Sequence, residues 1–178
     1  KLKLAKNIRN TATRVLQNEA NAILNLIEGL DGDFDACVER ILHSKGRVVI
    51  TGVGKSAIIA NKIVATLNST GTPALFMHAG DAIHGDLGMI TQDDVVLAIS
   101  NSGETAEVLT IVPVLKRRGI KMIAMTGRPE STLSTLSDVH LCVRVEQEAC
   151  PLGLAPTAST TATVAMGDAL AVALLDVR

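Results

Sequence analysis

The sequence predicts a three-layer α/β/α sandwich built on a five-stranded parallel sheet and preceded by one long helix. Five short runs of β-branched and aliphatic residues alternate with segments of helical spacing, which indicates a parallel sheet with helices on both faces. Hydrophobic residues make up 47% of the chain, yet it has two Phe and no Trp or Tyr. A core of Ala, Val, Ile and Leu is therefore expected, and it suits helices packed closely on strands.

The first 45 residues are predicted to form a helical segment that packs on the sheet. Apolar residues recur at helical spacing, at Ile8, Ala12, Val15, Leu16, Ile23, Leu26, Ile27 and Leu30. This periodicity predicts one amphipathic helix over about residues 1–30. Asp33 is expected to cap a second helix that ends near Ser44. A helix this long before the first strand is expected to pack across a dimer partner.

Each of the five strands is predicted from an apolar run. The runs are 47–51, 74–77, 95–99, 121–125 and 139–143. Helices are expected after the first run to about Ser69, after the third to about Arg118, and from near Thr157 to the end. No linker or repeat is visible, so residues 1–178 are predicted to form one domain. In such sheets the ligand binds beyond the carboxyl ends of the strands.

Composition and charge exclude several classes of partner. Seventeen Lys and Arg against 18 Asp and Glu give a net charge of −1, and the scarcity of aromatic residues leaves no stacking platform, so no nucleic-acid partner is expected. No apolar stretch is expected to reach the roughly 18 residues of a membrane span, and no secretory signal is found. Cys37, Cys142 and Cys150 form an odd set without CxxC spacing, which indicates reduced core thiols in the cytoplasm.

The loop at positions 52–57, Gly-Val-Gly-Lys-Ser-Ala, follows the first strand and opens a helix. It fits the looser dinucleotide fingerprint, but the acidic residue expected about 20 positions further on is missing. A P-loop is excluded because Val49 stands where that pattern requires Gly. What remains is a tight turn that aims backbone N–H groups and Lys55 at an anion. The alternative is a glycine turn used only for helix–strand packing.

The loop at positions 100–105, Ser-Asn-Ser-Gly-Glu-Thr, also lies between a strand and a helix. Its three hydroxyl groups can donate to phosphate oxygens, Gly103 permits close approach of the backbone, and the helix that follows offers its positive end. An ordinary N-cap needs only one hydroxyl, so the loop predicts a phosphate site. Glu104 is expected to cap or brace this loop.

This hydroxyl-rich loop resembles that of the sugar isomerase (SIS) domain, a phosphosugar-binding fold. The segments GVGKSA, STGTP, HGDLGMI, AISNSGET, TGRPES and EACPLGLAPTASTTATVAMGDALAVALL resemble the arabinose-5-phosphate isomerases over most of the chain from residue 47. The resemblance implies interconversion of D-arabinose 5-phosphate and D-ribulose 5-phosphate through an enediol, with no metal and no organic cofactor. The product would feed Kdo synthesis for lipopolysaccharide or capsule.

The resemblance also implies site residues. Lys55, Glu107 and Glu148 correspond to catalytic positions, and His84 contacts substrate. The other implied substrate-binding positions are Gly54, Ser56, Gly71, Thr72, Ser100, Asn101, Ser102, Gly103, Glu104 and Thr105. His78 resembles a position that can take up zinc in related enzymes, and this metal is expected to be adventitious.

Roles can be assigned to these residues, each beside a simpler alternative. Glu148 is expected to be the base, with its pKa raised by a closed apolar crevice, and Glu107 to assist ring opening or proton shuttling. Lys55 is expected to stabilise negative charge. The alternatives are a surface-loop charge for Glu148, a first-turn charge for Glu107, a helix-start charge for Lys55, and for His84 a structural hydrogen bond to Asp86. Thr157, Ser159, Thr160 and Thr161 are expected to cap and line the start of the last helix, or to close the sugar site.

A second function is a non-catalytic sensor of sugar phosphates or nucleotide sugars, and a third is another SIS enzyme. Retention of both glutamates and the lysine favours catalysis. A homotetramer built from dimers is expected, with CMP-Kdo as a feedback ligand. Many relatives carry a pair of CBS domains, and relatives continue into a Ser-His-Pro-Gly-Gly segment whose His reaches another subunit. This sequence ends at Arg178, so we expect a short form with weak or incomplete activity.

Overall fold

A computed structural model describes residues 1–178 and confirms the predicted sandwich. Five parallel strands form one sheet in the order β2-β1-β3-β4-β5. They are β1 (Val48–Gly52), β2 (Ala74–His78), β3 (Val95–Ile99), β4 (Lys121–Thr126) and β5 (Val139–Cys142). The strand boundaries lie within one residue of those predicted.

Helices precede the sheet and cover both of its faces. They are α1 (Leu2–Glu28), α2 (Gly32–Leu42), α3 (Gly54–Ser69), α4 (Ala79–Ile83), α5 (Ala106–Arg117), α6 (Thr132–Leu136) and α7 (Ala158–Asp176). A 3-10 turn covers Asp86–Met89. The turn, α4 and α6 were not predicted, because elements this short do not establish a helical period. The assignment of residues 1–178 to one domain stays a prediction.

The strands supply two cores, one on each face of the sheet. All residues of β1 and β3 are buried, which explains why both read as uninterrupted apolar runs. Ile50 and Leu97 lie in the core that α2, α3 and α7 cover, whereas Val49 and Val96 lie in the core under α4 and α5. Because successive side chains on a strand point to opposite faces, one run of residues fills both cores.

The cap of α2 differs from the prediction. Asp31, not Asp33, is the N-cap, and its side chain accepts a hydrogen bond of 2.9 Å from the backbone N–H of Asp33. Asp33 lies in the first turn, where its negative charge faces the positive end of the helix. Asp31 and Asp33 both suit a helix start, and the sequence pattern does not separate them.

Helix α7 corrects the expectation that no apolar stretch reaches membrane-spanning length. It has 19 residues and an 18-residue stretch with a mean hydropathy of 1.4, half of which is buried inside the fold. The helix packs against α1 and α3. At Gly167 an added Cβ would approach Ile63 of α3 to 2.5 Å, so the two helices are in close contact. Its apolar composition thus serves the core of the sandwich.

Helix α1 is largely uncovered in this chain. Only Ala22 and Leu26 are buried, and both lie in its C-terminal part. Large apolar residues of α1 are exposed at Leu2, Leu4, Ile8, Leu16, Ile23, Leu24 and Ile27. An apolar surface therefore runs along most of the helix.

The three cysteines are free thiols, as predicted. Only Cys37 lies in the core, where burial raises its pKa to about 12. Cys142 and Cys150 are half-buried, so the expectation of core thiols holds for Cys37 alone.

Candidate active site

A cavity of about 340 Å³ opens at the carboxyl edge of the sheet. Its lining includes Lys55 and Ser56 from the start of α3, Asn101 from the loop after β3, and Glu148 from the segment after β5. This is where parallel α/β sheets bind their ligands. The fold thus brings together predicted site residues from three distant parts of the sequence.

The turn from β1 into α3 shapes one wall of this cavity. Gly54 has φ +57°, a left-handed conformation that Gly adopts without strain. Helix α3 has no side-chain cap, so its first backbone N–H groups are available to an anion. Lys55 follows in the first turn with an exposed side chain. A cation and a helix N-terminus therefore share one mouth of the cavity.

The loop at positions 100–105 is held in shape by its own hydroxyl groups. Ser100 Oγ lies 2.6 Å from Thr105 Oγ1 and accepts a hydrogen bond of 3.0 Å from the N–H of Gly103. Ser102 Oγ accepts a bond of 3.1 Å from the N–H of Glu104. Ser100 is only 2% exposed, so its hydroxyl orders the loop and does not face a ligand, contrary to the prediction. Asn101 and Ser102 are exposed.

Helix α6 braces the same loop from behind. The N–H of Thr132 donates to Glu104 Oε1 at 2.8 Å, and the N–H of Leu133 donates to the carbonyl of Gly103 at 3.0 Å. The bond from Thr132 holds the pKa of Glu104 below its ordinary value. The expectation that Glu104 braces the loop is confirmed, because its Oε1 is engaged there. The contact of Glu104 with substrate stays a prediction.

Glu148 is fixed by the N-terminus of α7. Its Oε2 accepts hydrogen bonds from the N–H of Thr157 at 2.7 Å, from Thr157 Oγ1 at 3.0 Å and from the N–H of Ser159 at 3.3 Å. Burial raises the pKa of Glu148, but the hydrogen bonds from Ser159 and Thr157 outweigh it and leave the pKa below its ordinary value. The predicted upward shift is therefore wrong, because the cavity wall here is a set of donors and not an apolar surface.

Helix α1 contacts the backbone on both sides of Glu148. Arg14 Nη1 donates to the carbonyl of Ala149 at 3.4 Å, and Asn18 Nδ2 donates to the carbonyl of Gln147 at 3.5 Å. These two residues were not predicted, because the helical spacing of α1 marks its apolar face and gives no sign of a polar contact to a segment more than 120 residues away.

Several predicted site residues lie outside this cavity. Glu107 is exposed in the first turn of α5, makes no side-chain hydrogen bond and does not line the cavity. His84 is exposed at the end of α4 and makes no hydrogen bond to Asp86, so that alternative finds no support. His78 Nδ1 accepts a bond of 3.1 Å from the N–H of Gly80 and so caps α4. No group of three or more His, Cys, Asp or Glu that could hold a metal ion is found.

Gly71 and Thr72 lie at the opposite edge of the sheet. They precede β2, whose first residue Ala74 pairs with Val48 at the start of β1. The length of the strand, roughly 15 Å, separates this edge from the cavity. Within one chain these two residues therefore cannot contact a ligand that Glu148 contacts, contrary to what the resemblance implied.

Other cavity residues come from the segment that leads into α7. Ser159 and Thr160 line the cavity. This position fits the second of the two alternatives given for them, that they close the sugar site. Ile59, Leu154 and Pro156 form apolar wall and were not predicted as site residues. The stretch EACPLGLAPTAS contained the available clue, because it places small and apolar residues beside a carboxylate.

Comparisons with known proteins show which sequences and structures this chain resembles. A family model described as SIS domain matches residues 41–173. The arabinose 5-phosphate isomerase KdsD of Yersinia pestis is 56% identical over 172 residues, which cover 97% of this chain and 52% of that protein. The KdsD of Pseudomonas aeruginosa is 54% identical over 169 residues, with coverages of 95% and 52%. The chain thus spans about half the length of the curated relatives it matches.

One solved structure is similar to this chain over nearly the whole length of both proteins. The E. coli CFT073 protein c3406, in complex with A5P, is 42% identical and superposes with a TM-score of 0.93. The match covers 97% of this chain and 92% of the E. coli chain.

Proposed function

This chain belongs to the SIS domain family, and we propose that it interconverts D-arabinose 5-phosphate and D-ribulose 5-phosphate. One observation carries the proposal: a single cavity is lined by Lys55, Asn101 and Glu148, which supply a cation, an anion-loop residue and a carboxylate. Support for the substrate comes from the relatives named arabinose 5-phosphate isomerase and from the E. coli structure in complex with A5P.

The substrate phosphate is placed at the loop after β3. Asn101 and Ser102 are exposed there, and the N-terminus of α5 follows directly, so side chains and helix dipole both favour an anion. Helix α3 presents its own uncapped N-terminus beside Lys55, where it favours the negative charge that develops on the carbonyl oxygen of the sugar. The phosphate thereby fixes the sugar with its carbonyl end toward Lys55 and Glu148.

The reaction moves a proton between the first two carbons of the sugar. Glu148 removes the proton from carbon 2 of the aldose, the C–H electron pair becomes the C=C bond of an enediolate, and the carbonyl oxygen takes the negative charge. Lys55 stabilises that charge. A proton moves from the hydroxyl on carbon 2 to the oxygen on carbon 1, and return of the first proton to carbon 1 gives the ketose. Glu107, placed next to the phosphate loop by the first turn of α5, is retained as the residue that assists this shuttling or ring opening.

Turnover of D-arabinose 5-phosphate by chelator-treated protein tests the activity and its selectivity. Ribose 5-phosphate and glucosamine 6-phosphate serve as competitors. We expect selective turnover that Lys55→Ala reduces at least about tenfold, because a group that stabilises developing charge typically contributes more than that. Lys116→Ala is the control, since Lys116 is an exposed lysine in the last turn of α5. Equal activity of the two lysine variants would contradict the role of Lys55.

The sensor remains the second candidate, and a specific observation favours it. Hydrogen bonds hold Glu148 ionised with a lowered pKa, which makes it a weaker base, and Glu107 lies outside the cavity. Both features are compatible with a site that binds a sugar phosphate without turning it over. Tight binding of arabinose 5-phosphate with no product would support the sensor and contradict the isomerase.

We also propose CMP-Kdo as a feedback ligand. A second cavity of about 300 Å³ lies beside the first and shares Asn101 and Glu148 with it. Arg128 and Arg144 line this second cavity together with three glutamates, and neither arginine has a carboxylate within 4.0 Å. Unpaired guanidinium groups suit a ligand that carries both a phosphate and a carboxylate. Calorimetry with saturating CMP-Kdo should give heat that Arg144→Ala diminishes, and no heat from the unmodified protein would end the proposal.

The assembly is proposed to be a homotetramer built from dimers. The exposed apolar residues of α1 form a surface of the kind that a second copy of the chain covers. Light scattering at micromolar concentration should give four times the chain mass of 18.6 kDa. A monomer under these conditions would contradict the proposal. We further place the protein in the cytoplasm, where free thiols persist, with its product entering Kdo synthesis.

A further inference from the structure

We propose that Thr157 is a positioning residue for Glu148, which leaves Glu148 Oε1 as the one carboxylate oxygen that takes and returns the substrate proton. This inference rests on the proposed isomerase function and adds a residue and an atom to it. Thr157 is half-buried at the N-terminus of α7, with its backbone and side chain both directed at Glu148.

The direction of the hydrogen bonds around Thr157 is fixed by its neighbours. Thr157 Oγ1 accepts a bond of 2.8 Å from the N–H of Ala149. The same oxygen lies 3.0 Å from Glu148 Oε2, and a carboxylate can only accept. The hydroxyl proton must therefore point at Oε2. A one-way chain runs from Ala149 N–H through the Thr157 hydroxyl to Glu148, and it closes a ring that fixes the carboxylate relative to its own backbone.

Thr157 is placed where a helix cap would usually be, yet it does not cap the helix. A threonine at this position normally accepts a bond from an N–H of the first helical turn. Here Thr157 makes no such bond, and its hydroxyl instead donates to Glu148 Oε2 at 3.0 Å. Glu148 Oε2 instead accepts from the N–H groups of Thr157 and Ser159. The Glu148 carboxylate thus replaces the Thr157 hydroxyl as the acceptor at the start of α7. Capping the helix does not require this replacement, but it fixes the carboxylate in the cavity.

The two oxygens of Glu148 consequently differ. Oε2 is surrounded by the two N–H groups and the hydroxyl, all of which donate and cannot make room for a proton on that oxygen. Oε1 accepts none of these three bonds, and the Ser159 hydroxyl is the further donor that acts on this carboxylate. When Glu148 removes the proton from carbon 2, that proton is therefore carried on Oε1 and returned from Oε1 to carbon 1. The donors on Oε2 keep their geometry throughout, so no reorganisation accompanies the transfer.

Thr157→Val and Thr157→Ser test the positioning role. Valine keeps the shape but loses the hydroxyl, so Glu148 loses one donor to its charged form and its pKa rises. Because the base is ionised only above its pKa, the acid limb of the kcat/KM profile should move to higher pH. We expect kcat to fall about 10- to 100-fold with KM changed less than about twofold, since misplacement of a base affects the chemical step more than phosphate binding. Thr157→Ser keeps a hydroxyl group, so its acid limb and its kcat should equal those of the unmodified protein.

Thr66→Val is the matched control, because Thr66 is also a half-buried helix threonine and its hydroxyl bonds within α3, to the carbonyl of Lys62. Its pH profile should equal that of the unmodified protein. An unchanged acid limb and kcat in Thr157→Val would overturn the proposal. So would an equal loss in Thr157→Ser, since serine keeps the hydroxyl to which the proposal assigns the effect.

A measurement that needs no turnover separates this inference from the proposed function. A ¹³C NMR titration of the Glu148 carboxyl should give a higher pKa in Thr157→Val than in the unmodified protein or in Thr157→Ser. If the unmodified protein does not turn over arabinose 5-phosphate, the isomerase proposal fails while the titration still tests the contact. Identical titration curves in all three proteins would contradict the positioning role of Thr157, whether or not the protein is active.

Discussion

At the scale of single residues, Glu148 has two tasks that compete. Its Oε2 accepts hydrogen bonds from three donors at the N-terminus of α7, and its Oε1 is the oxygen that we propose carries the substrate proton. These donors lower its pKa, so the carboxylate is ionised and ready at neutral pH but is a weaker base than an apolar crevice would make it. A rigid geometry and the nearby Lys55 must offset that loss by stabilising the enediolate.

Gly103 holds the loop at positions 100–105 close to the start of α6. It has φ +68°, and an added Cβ would lie 2.0 Å from Ser131 Oγ. We expect Gly103→Ala to push the loop off α6 and to raise KM for the sugar phosphate about tenfold or more, the loss of roughly one charge-assisted hydrogen bond. Calorimetric titration with inorganic phosphate and with substrate would measure this.

Gly119 provides a matched control for that substitution. It too has a left-handed φ, of +71°, but nothing lies within 4 Å of an added Cβ. Gly119→Ala should therefore cost roughly 1–2 kcal/mol of stability through backbone strain and leave KM unchanged. Equal KM values for the two alanine variants would mean that the contact with Ser131 does not set the shape of the loop.

At the scale of elements, the starts of β1 and β3 are joined through Asp94. Its carboxylate accepts from the backbone N–H of Arg47 at 2.7 Å and of Thr91 at 2.8 Å, and it pairs with Arg47 Nη2 at 3.1 Å. Burial raises the pKa of Asp94, but the hydrogen bonds from Arg47 and Thr91 outweigh it, so the pKa is below its ordinary value. The pair thus fixes the amino edge of the sheet, opposite the cavity.

Asp94→Asn should lower the free energy of unfolding at pH 7 by about 3 kcal/mol, because two donors then face an amide N–H₂ group. A carboxylate with a lowered pKa stabilises the fold above its unfolded pKa and loses this effect as the pH falls through the folded pKa. The difference between the two proteins should therefore narrow below about pH 4. Urea unfolding between pH 3 and 7 measures this difference in the free energy of unfolding. Asp93→Asn is the control, because Asp93 is the exposed neighbour of Asp94. A difference independent of pH would contradict the assignment.

The elements differ in how far the sequence predicted them. The sheet and the long helices followed from period and composition, since β1 and β3 are apolar throughout and α1 repeats its apolar residues at helical spacing. The short elements could not be predicted in this way. Helix α6 is the most important of them, because it braces the loop at positions 100–105. The downward pKa shift of Glu148 also escaped prediction, since it depends on donors that only folding brings to that carboxylate.

For the molecule as a whole, α1 connects the proposed assembly with the proposed active site. One face of this helix is apolar and exposed, and Arg14 and Asn18 on the same helix hold the carbonyls on both sides of Glu148. A partner copy that fixes α1 would therefore also steady the segment that carries the base. The proposed assembly is thus expected to affect the rate of the reaction as well as stability.

Leu16→Glu tests this link, because Leu16 is 68% exposed in this chain and would be buried in the assembly. The charge should reduce the mass found by light scattering and lower kcat more than KM rises. Asn10→Glu adds the same charge at an exposed polar position of α1 and should change neither. If the Leu16→Glu variant were monomeric and kept full activity, the active site would not depend on a partner copy, and the link would be contradicted.

The most direct test of the central claim is the rate at which Glu148→Gln converts arabinose 5-phosphate, measured beside the unmodified protein after both are saturated with substrate. Glutamine keeps an oxygen for the N-terminus of α7 but cannot accept the substrate proton. We expect conversion to ribulose 5-phosphate by the unmodified protein and a loss of at least about 100-fold in the variant, with binding retained. Equal rates in the two proteins, or binding without any product, would contradict it.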